Sequence, residues 1–325
     1  MDPVALRLRN VPLVSQGRGG EPPYSSTGLA ECLSAGAREF GWNEARTRTR
    51  RERGDGSGHL RRGVGVAACN WVAGGGGPPA GAVVTMYGDG SVSLEMGAAD
   101  IGTGTKTVMA QVVAEELGIE PETIRITNAD TATVPFSGPS GGSKTVPSDS
   151  PAVRSAAVEV KRQLLELAAA ELDLPAADLR FAGRTIHQRD NADRQVVVAE
   201  LRGLRRRRSV VGVGYRGPNP AGKVVCPFAA QFCEVEVDTR SGEVRVLRFL
   251  AAHDSGRVLN LKTYANQVVG GVTMGLGFAL TEARVLDRGQ TGRLCNRNWH
   301  DYKLPTALDV PGDDRPEHVP QRPDP

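Results

Sequence analysis

The residues best suited to chemistry are a run of glycines and hydroxyls, Asp100-Ile101-Gly102-Thr103-Gly104-Thr105-Lys106-Thr107. Before it, Ser91–Met96 alternates, with Val92, Leu94 and Met96 on one face, as a half-buried strand requires. After it, Thr105–Leu117 has helical spacing, with Val108, Val112, Ala114 and Leu117 on one stripe and Gly118 as a stop. A glycine turn opening a helix presents unpaired N–H groups at the positive end of the helix dipole, which suits a phosphate. The spacing is neither G-x-G-x-x-G nor a Walker loop. The same residues also describe a strand–turn–helix corner with no ligand.

A second loop of the same composition follows: Ser137-Gly138-Pro139-Ser140-Gly141-Gly142-Ser143-Lys144-Thr145. It leads to an expected helix over 150–172, with Ser150 as N-cap and Pro151 in the first turn. Ala152, Val153, Ala156, Ala157, Val160, Leu164, Leu165 and Ala168 form its apolar stripe. Two donor-rich loops, each feeding a helix, suit one phosphate-bearing ligand gripped from two sides. Gly/Ser loops also serve as plain linkers, and spacing alone leaves both readings open.

The elements that must hold these loops come from a chain of 325 residues, 39% apolar and 24% charged, long enough for two domains. A net charge of +3 gives no argument for a nucleic-acid partner. The arginines between Arg46 and Arg62 have no interleaved aromatics and read as an exposed linker, and Arg205–Arg208 as a solvated helix end or loop. Cys32, Cys69, Cys226, Cys233 and Cys295 are scattered with no C-x-x-C, so the expectation is no disulfide, zinc site or iron–sulfur cluster. No signal peptide is visible at Met1, and the longest apolar stretch, Val268–Leu280, is too short to span a bilayer; the expectation is a cytoplasmic protein without membrane contact.

Further elements are expected as a helix over 26–40 with Gly28 inside it and Gly41 as its stop, a strand over 63–68, and a hairpin of 82–86 with 91–96 across Gly88-Asp89-Gly90. Short strands are expected over 123–127, 181–187 and 194–198. A second hairpin joins 231–237 to 243–249; His253-Asp254-Ser255-Gly256 reads as a loop, with His253 more a hydrogen-bonding residue than a base. A helix over 263–283 is expected to pack closely through Gly270, Gly271, Gly275 and Gly277. From Pro311 periodicity ends, and a Pro-rich disordered tail is expected over 311–325.

The chain resembles the second half of the molybdopterin-binding large subunit of the xanthine dehydrogenase/aldehyde oxidase family. Seven blocks carry the resemblance over about residues 60–310. They are Asp100–Thr105, Gln111–Gly118, Ser140–Thr145, Phe232–Asp238, Asp254–Asn260, Gln267–Val272 and Asp301–Pro305. The Asp-Ile-Gly-Thr-Gly form is nearest the bacterial aldehyde-oxidising branch. The resemblance implies an α+β fold of two related cofactor-binding lobes with mixed sheets and packed helices. With it goes a division into an N-terminal helix and Arg-rich linker (1–59), a molybdopterin-binding lobe (60–205), a second lobe (206–310) and the tail.

It implies molybdopterin with molybdenum as cofactor, in the cytosine dinucleotide form, with no flavin or iron–sulfur cluster in this chain. Carried over by position, Gly102, Thr103, Gly104, Thr105 and Thr107 face the cofactor from one loop, and Gly142, Ser143 and Thr145 from the other. It also implies hydroxylation of aldehydes or N-heterocycles with water-derived oxygen, and partner subunits carrying iron–sulfur clusters and FAD. The family's general-base glutamate sits in a C-terminal Gly-x-Gly-Glu-Pro motif. No such motif follows Val310-Pro311, and Glu317 lacks the flanking glycines, so no catalytic residue is assigned. The family's preceding domains are not visible before Met1. The expectation is a partial subunit, inactive alone, among whose partners a separate chain can carry the missing large-subunit half. The alternatives are a cofactor-holding or assembly module without turnover, and half of a split enzyme.

Overall fold

The structure, a computed structural model, describes residues 1–15, 22–54, 58–71, 79–219, 221–289 and 291–311. In chain order the elements are α1 (Pro3–Arg9), α2 (Leu29–Phe40), α3 (Trp42–Gly54), β1 (Leu60–Asn70), β2 (Gly81–Tyr87), β3 (Val92–Met96), α4 (Thr105–Leu117), β4 (Ile124–Asn128) and α5 (Thr145–Leu172). There follow β5 (Leu179–Ala182), β6 (Thr185–Gln188), β7 (Asn191–Val197), α6 (Arg202–Arg207), β8 (Ser209–Tyr215), β9 (Phe228–Asp238), β10 (Val244–Asp254) and α7 (Leu261–Leu280). Helices pack on mixed and antiparallel sheets, an α+β architecture as expected.

The chain forms two compact units, 72–223 and a discontinuous one of 1–71 with 224–325. These do not follow the breaks expected at 59/60 and 205/206. The physical reason is strand pairing: β1 pairs along its whole length with β9, and β8 pairs with β2. The tail from 312 onward lies outside the described residues.

In the 72–223 unit the sheet order is β4-β3-β2-β8, with β3 and β4 parallel and the other pairs antiparallel. Parallel neighbours need a crossover, and α4 supplies it. The β2–β3 hairpin turns at Gly88-Asp89-Gly90, where Gly90 has φ +83°, as expected. Ala82, Val84 and Met86 of β2 and Val92, Leu94 and Met96 of β3 meet Met109, Val113 and Leu117 of α4 in one core. Val113 and Met109, rather than Val112, lead the buried face of α4, because the helix sits rotated toward α5; Val112 is half-buried.

α5 runs 28 residues and begins at Thr145, five residues before the expected start. Ser150 is therefore not its cap; its hydroxyl donates back to the Val146 carbonyl at 2.7 Å inside the first turns, and Pro151 is tolerated nearby. Every expected stripe residue is fully buried except Leu165, which packs at the edge. α5 lies almost on the backbone of β8: a Cβ on Gly214 would stand 2.0 Å from the Ala152 carbonyl oxygen, and one on Gly212 2.1 Å from that of Ala156. The segment after α5 forms a three-stranded antiparallel sheet, β5-β6-β7, where two strands were expected.

The other unit holds the antiparallel sheet β1-β9-β10, with α2 and α3 on it. Leu29, Cys32, Leu33, Phe40, Trp42, Phe228, Phe232 and Leu250 form its core. Gly41 ends α2 in the left-handed conformation, as expected, but Gly28 is its N-cap rather than an internal residue. The arginine-rich stretch expected as a linker is largely the helix α3. Arg48 of this helix reaches the buried Glu234 at 2.5 Å, which Arg248 of β10 also reaches at 3.2 Å. His253 and Asp254 lie at the end of β10, not in a loop, and Asp254 accepts the Gly28 amide at 2.8 Å.

The α5–β8 contact sets a prediction. Gly214→Ala drives a methyl group into a helix backbone that cannot rotate away, and should cost about 2–3 kcal/mol. The expected readout is a melting temperature lower by roughly 5–10 °C in thermal circular dichroism. Gly217→Ala, which meets open space, should leave it unchanged.

Candidate cofactor-binding site

Both glycine-rich loops belong to the 72–223 unit, and the fold places them side by side. The first leaves the carboxyl end of β3 and opens α4; the second opens α5, which packs against α4. Ser140 of the second loop donates to the Ala99 carbonyl of the first at 2.7 Å. Gly97 is the other point of contact: a Cβ there would fall 2.4 Å from the Pro135 carbonyl oxygen and 2.6 Å from the Ser137 amide nitrogen. Asn128, at the end of β4, ties down the intervening backbone by donating to the Ala98 carbonyl at 3.0 Å. A ligand site beyond the carboxyl end of a parallel strand, at a helix N-terminus, is the general arrangement in sheets of this kind.

In the first loop Gly102 and Gly104 take φ of +95° and +81°, which only glycine adopts without strain. A Cβ on Gly102 would meet open space. The Asp100 carboxylate organises the turn. Its Oδ1 accepts the Gly102 amide at 3.0 Å and its Oδ2 the Lys106 amide at 3.1 Å. Partial burial pushes this carboxyl up, but the amides of Lys106, Gly102 and Gly104 outweigh it and hold the group below the usual carboxylate range. Thr105 is buried, its hydroxyl 3.0 Å from that of Thr103. Thr107 is exposed on the first turn of α4.

In the second loop Gly142 (φ +62°) and Ser143 (φ +56°) are consecutive left-handed residues, and both are exposed. Thr145 starts α5 and is half-buried, with Lys144 as its N-cap residue. A Cβ on Gly138 would lie 2.6 Å from the Lys144 Nζ, so the lysine folds back over its own loop. Beneath it sits a group that sequence reasoning missed. Asp149 is 1% exposed, and neither carboxylate oxygen has a hydrogen bond of good geometry. Burial pushes its carboxyl up, offset in part by the Ser137 hydroxyl and the Lys144 charge. No periodicity marks such a residue, because the early start of α5 is what buries it.

The donor set suits a polar, phosphate-bearing group. The two loops carry left-handed turns, the hydroxyls of Thr103, Thr107, Ser143 and Thr145, and the amines of Lys106 and Lys144, at the N-termini of α4 and α5. Gly102, Gly141 and Gly142 leave open space where side chains would stand. Among the described residues no cluster of His, Cys, Asp and Glu is arranged to hold a metal ion directly. All five cysteines are outside disulfides, and burial pushes Cys32 up to about 12. His253 lies 3.1 Å from the Gln231 amide nitrogen, and burial lowers its pKa.

Comparison with known proteins identifies the family of the chain. The family model for molybdopterin cofactor-binding domains matches residues 35–311. The xanthine dehydrogenase molybdenum-binding subunit of Escherichia coli O157:H7 is 32% identical over 328 aligned residues, covering 96% of this chain and 42% of that protein. The aldehyde oxidoreductase molybdenum-binding subunit PaoC of Escherichia coli K12 is 31% identical, over 96% of this chain and 40% of its own length. The chain thus spans about two fifths of the curated relatives it matches. Among solved structures, a reconstituted CO dehydrogenase from Oligotropha carboxidovorans superposes with a TM-score of 0.85 at 24% identity, over 98% of this chain and 41% of its own, a likeness of fold.

Asp149 yields a prediction with a definite sign. Its folded pKa is raised, so its contribution is fully present below the unfolded carboxylate pKa and is lost as pH rises through the folded one. Asp149→Asn should therefore stabilise the protein at pH 7.5, by about 1–3 kcal/mol. The gain over wild type should shrink toward pH 4. A difference in melting temperature that does not vary with pH would contradict the assignment.

Proposed function

Because the chain belongs to the molybdopterin cofactor-binding domain family and matches molybdenum-binding subunits of xanthine dehydrogenase and aldehyde oxidoreductase type, we propose that its two glycine-rich loops grip molybdopterin. Gly102, Thr103, Gly104 and Thr107 hold it from the α4 side, with Thr105 fixing Thr103, and Gly142, Ser143 and Thr145 from the α5 side. The observation that carries this reading is the joining of two donor-rich helix N-termini by the Ser140–Ala99 hydrogen bond. In the first loop the Gly102 and Lys106 amides point at the Asp100 carboxylate, so its donors toward a phosphate or pyrophosphate are the hydroxyls of Thr103 and Thr107 and the positive end of the helix dipole. The hydroxyls supply both donors and acceptors, as the edges of a pterin require. Lys106 and Lys144 add positive charge against the diphosphate of a cytosine dinucleotide form.

When bound, the molybdenum centre supplies hydroxylation of an aldehyde or N-heterocycle with water-derived oxygen. This chain's residues bind and orient the cofactor, and none of them is assigned the role of general base. The chain acts as the cofactor-gripping part of a larger hydroxylase subunit and does not turn over alone. Iron–sulfur and FAD subunits are its partners in electron transfer, and the assembly is cytoplasmic.

Metal analysis and pterin fluorescence of the purified protein test the reading. Gly102→Asp puts a carboxylate into the open space where the phosphate would lie. It should cut co-purifying molybdenum and pterin at least tenfold while lowering the melting temperature by only a few degrees. Unchanged cofactor content would overturn the proposed grip. Stoichiometric molybdenum with no oxidation of an aldehyde by an artificial acceptor is the expected result for the chain alone. Turnover by the chain alone would show that a base had been missed.

A further inference from the structure

α7 is the most apolar long helix of the chain, and it is not a core helix. Only Leu276 and Gly277 are buried. The close packing expected at four glycines occurs at one. A Cβ on Gly277 would strike the Pro305 ring at 2.8 Å, whereas Gly270, Gly271 and Gly275 face open space. Five of its exposed residues, Gln267, Gly271, Met274, Gly275 and Phe278, fall on one stripe at helical spacing, while Lys262 and Asn266 are exposed off it near the helix start. Met274 is 60% exposed and Phe278 73%. Leu261 and Leu280 on the same helix, and Trp299 and Leu308 beyond it, are exposed as well. Folded monomers rarely leave a contiguous apolar face of this kind uncovered.

Two features select the occupant. Among the described residues no helix is long and apolar enough to cross a membrane, and α7 is 20 residues long. The stripe carries no charged side chain, and its glycines admit another backbone at close range, as inside a single packed subunit. The matched molybdenum-binding subunits are more than twice as long as the stretch this chain covers. Resting on the family reading above, we propose that the Gln267–Phe278 face of α7 is the seat of the polypeptide corresponding to the uncovered three fifths of those large subunits. That polypeptide presents an apolar helix or strand to Met274 and Phe278 and brings its backbone over Gly271 and Gly275.

Site-specific photo-crosslinking tests the seat. Benzoylphenylalanine replaces Phe278 in the full chain expressed in its native host, and the products are identified by mass spectrometry. The expected product links position 278 to peptides that match the uncovered part of a molybdenum hydroxylase large subunit, in the same or another polypeptide. Gly271→Leu and Met274→Glu, each checked for an unchanged melting temperature, should reduce that product at least tenfold. A link to a second copy of this chain, to a different protein, or to nothing would overturn the proposal. Molybdenum content of the same preparations separates the two readings. Cofactor without the link sinks the docking seat alone, and the link without cofactor sinks the loop assignment alone.

Discussion

The candidate site depends on one backbone contact, the seating of α5 on β8. Gly212 and Gly214 let the Ala156 and Ala152 carbonyl oxygens come within 2.1 and 2.0 Å of where a Cβ would stand. At that height the alanines of α5 also reach β2, so a single helix closes the sheet and the core. The amino end of α5 is then held where the 137–144 loop can meet Gly97 and Ala99. A helix held off the sheet by ordinary side chains would carry its loop outward, and the two glycine turns would no longer share a locus.

Each loop carries its own acid, and the two are used differently. Asp100 is spent on amides of the turn and the first helical residues, so it stiffens the loop while reducing the donors left for a ligand. Asp149 is buried without comparable bonds, so its environment favours the neutral form. The field at the loops is set by Lys106, Lys144 and the helix N-termini, together with the bonded Asp100 and the buried Asp149. An anion that enters competes with Asp100 for amides but gains the left-handed turns, which Asp100 holds in place.

Local patterns read well wherever the hydrophobic period and the stop residues agreed. α4 is bounded as expected because Gly104 and Gly118 both adopt left-handed backbone, and the β2–β3 hairpin follows from its glycine turn. Ser150 misled because a good N-cap residue and a following proline imitate a helix start, while the helix already runs from Thr145 with Ser148 and Asp149 buried in its first turns. The arginine-rich segment misled for a related reason. Its helix is tied to the sheet by the Arg48 ion pair to Glu234, a residue far away in sequence. The pairing of β1 with β9 across more than 150 residues likewise has no local signature. The loop residues were legible as donors, but the burial of Thr105 and Asp149 was not, because both depend on the packing of α4 and α5.

The glycines of α7 make the same point from the opposite side. In sequence they resemble those of β8, small residues inside an apolar run, although close packing is expected only for those of α7. In β8 the neighbour is present, and a methyl group would collide with it. In α7 the space over Gly271 and Gly275 is open while Met274 and Phe278 stand in solvent. Glycine costs a helix interior about 1 kcal/mol relative to alanine. A helix that bears this cost several times over while leaving its large apolar side chains wet gains nothing from it among the described residues. The gain must come from a surface that lies against it.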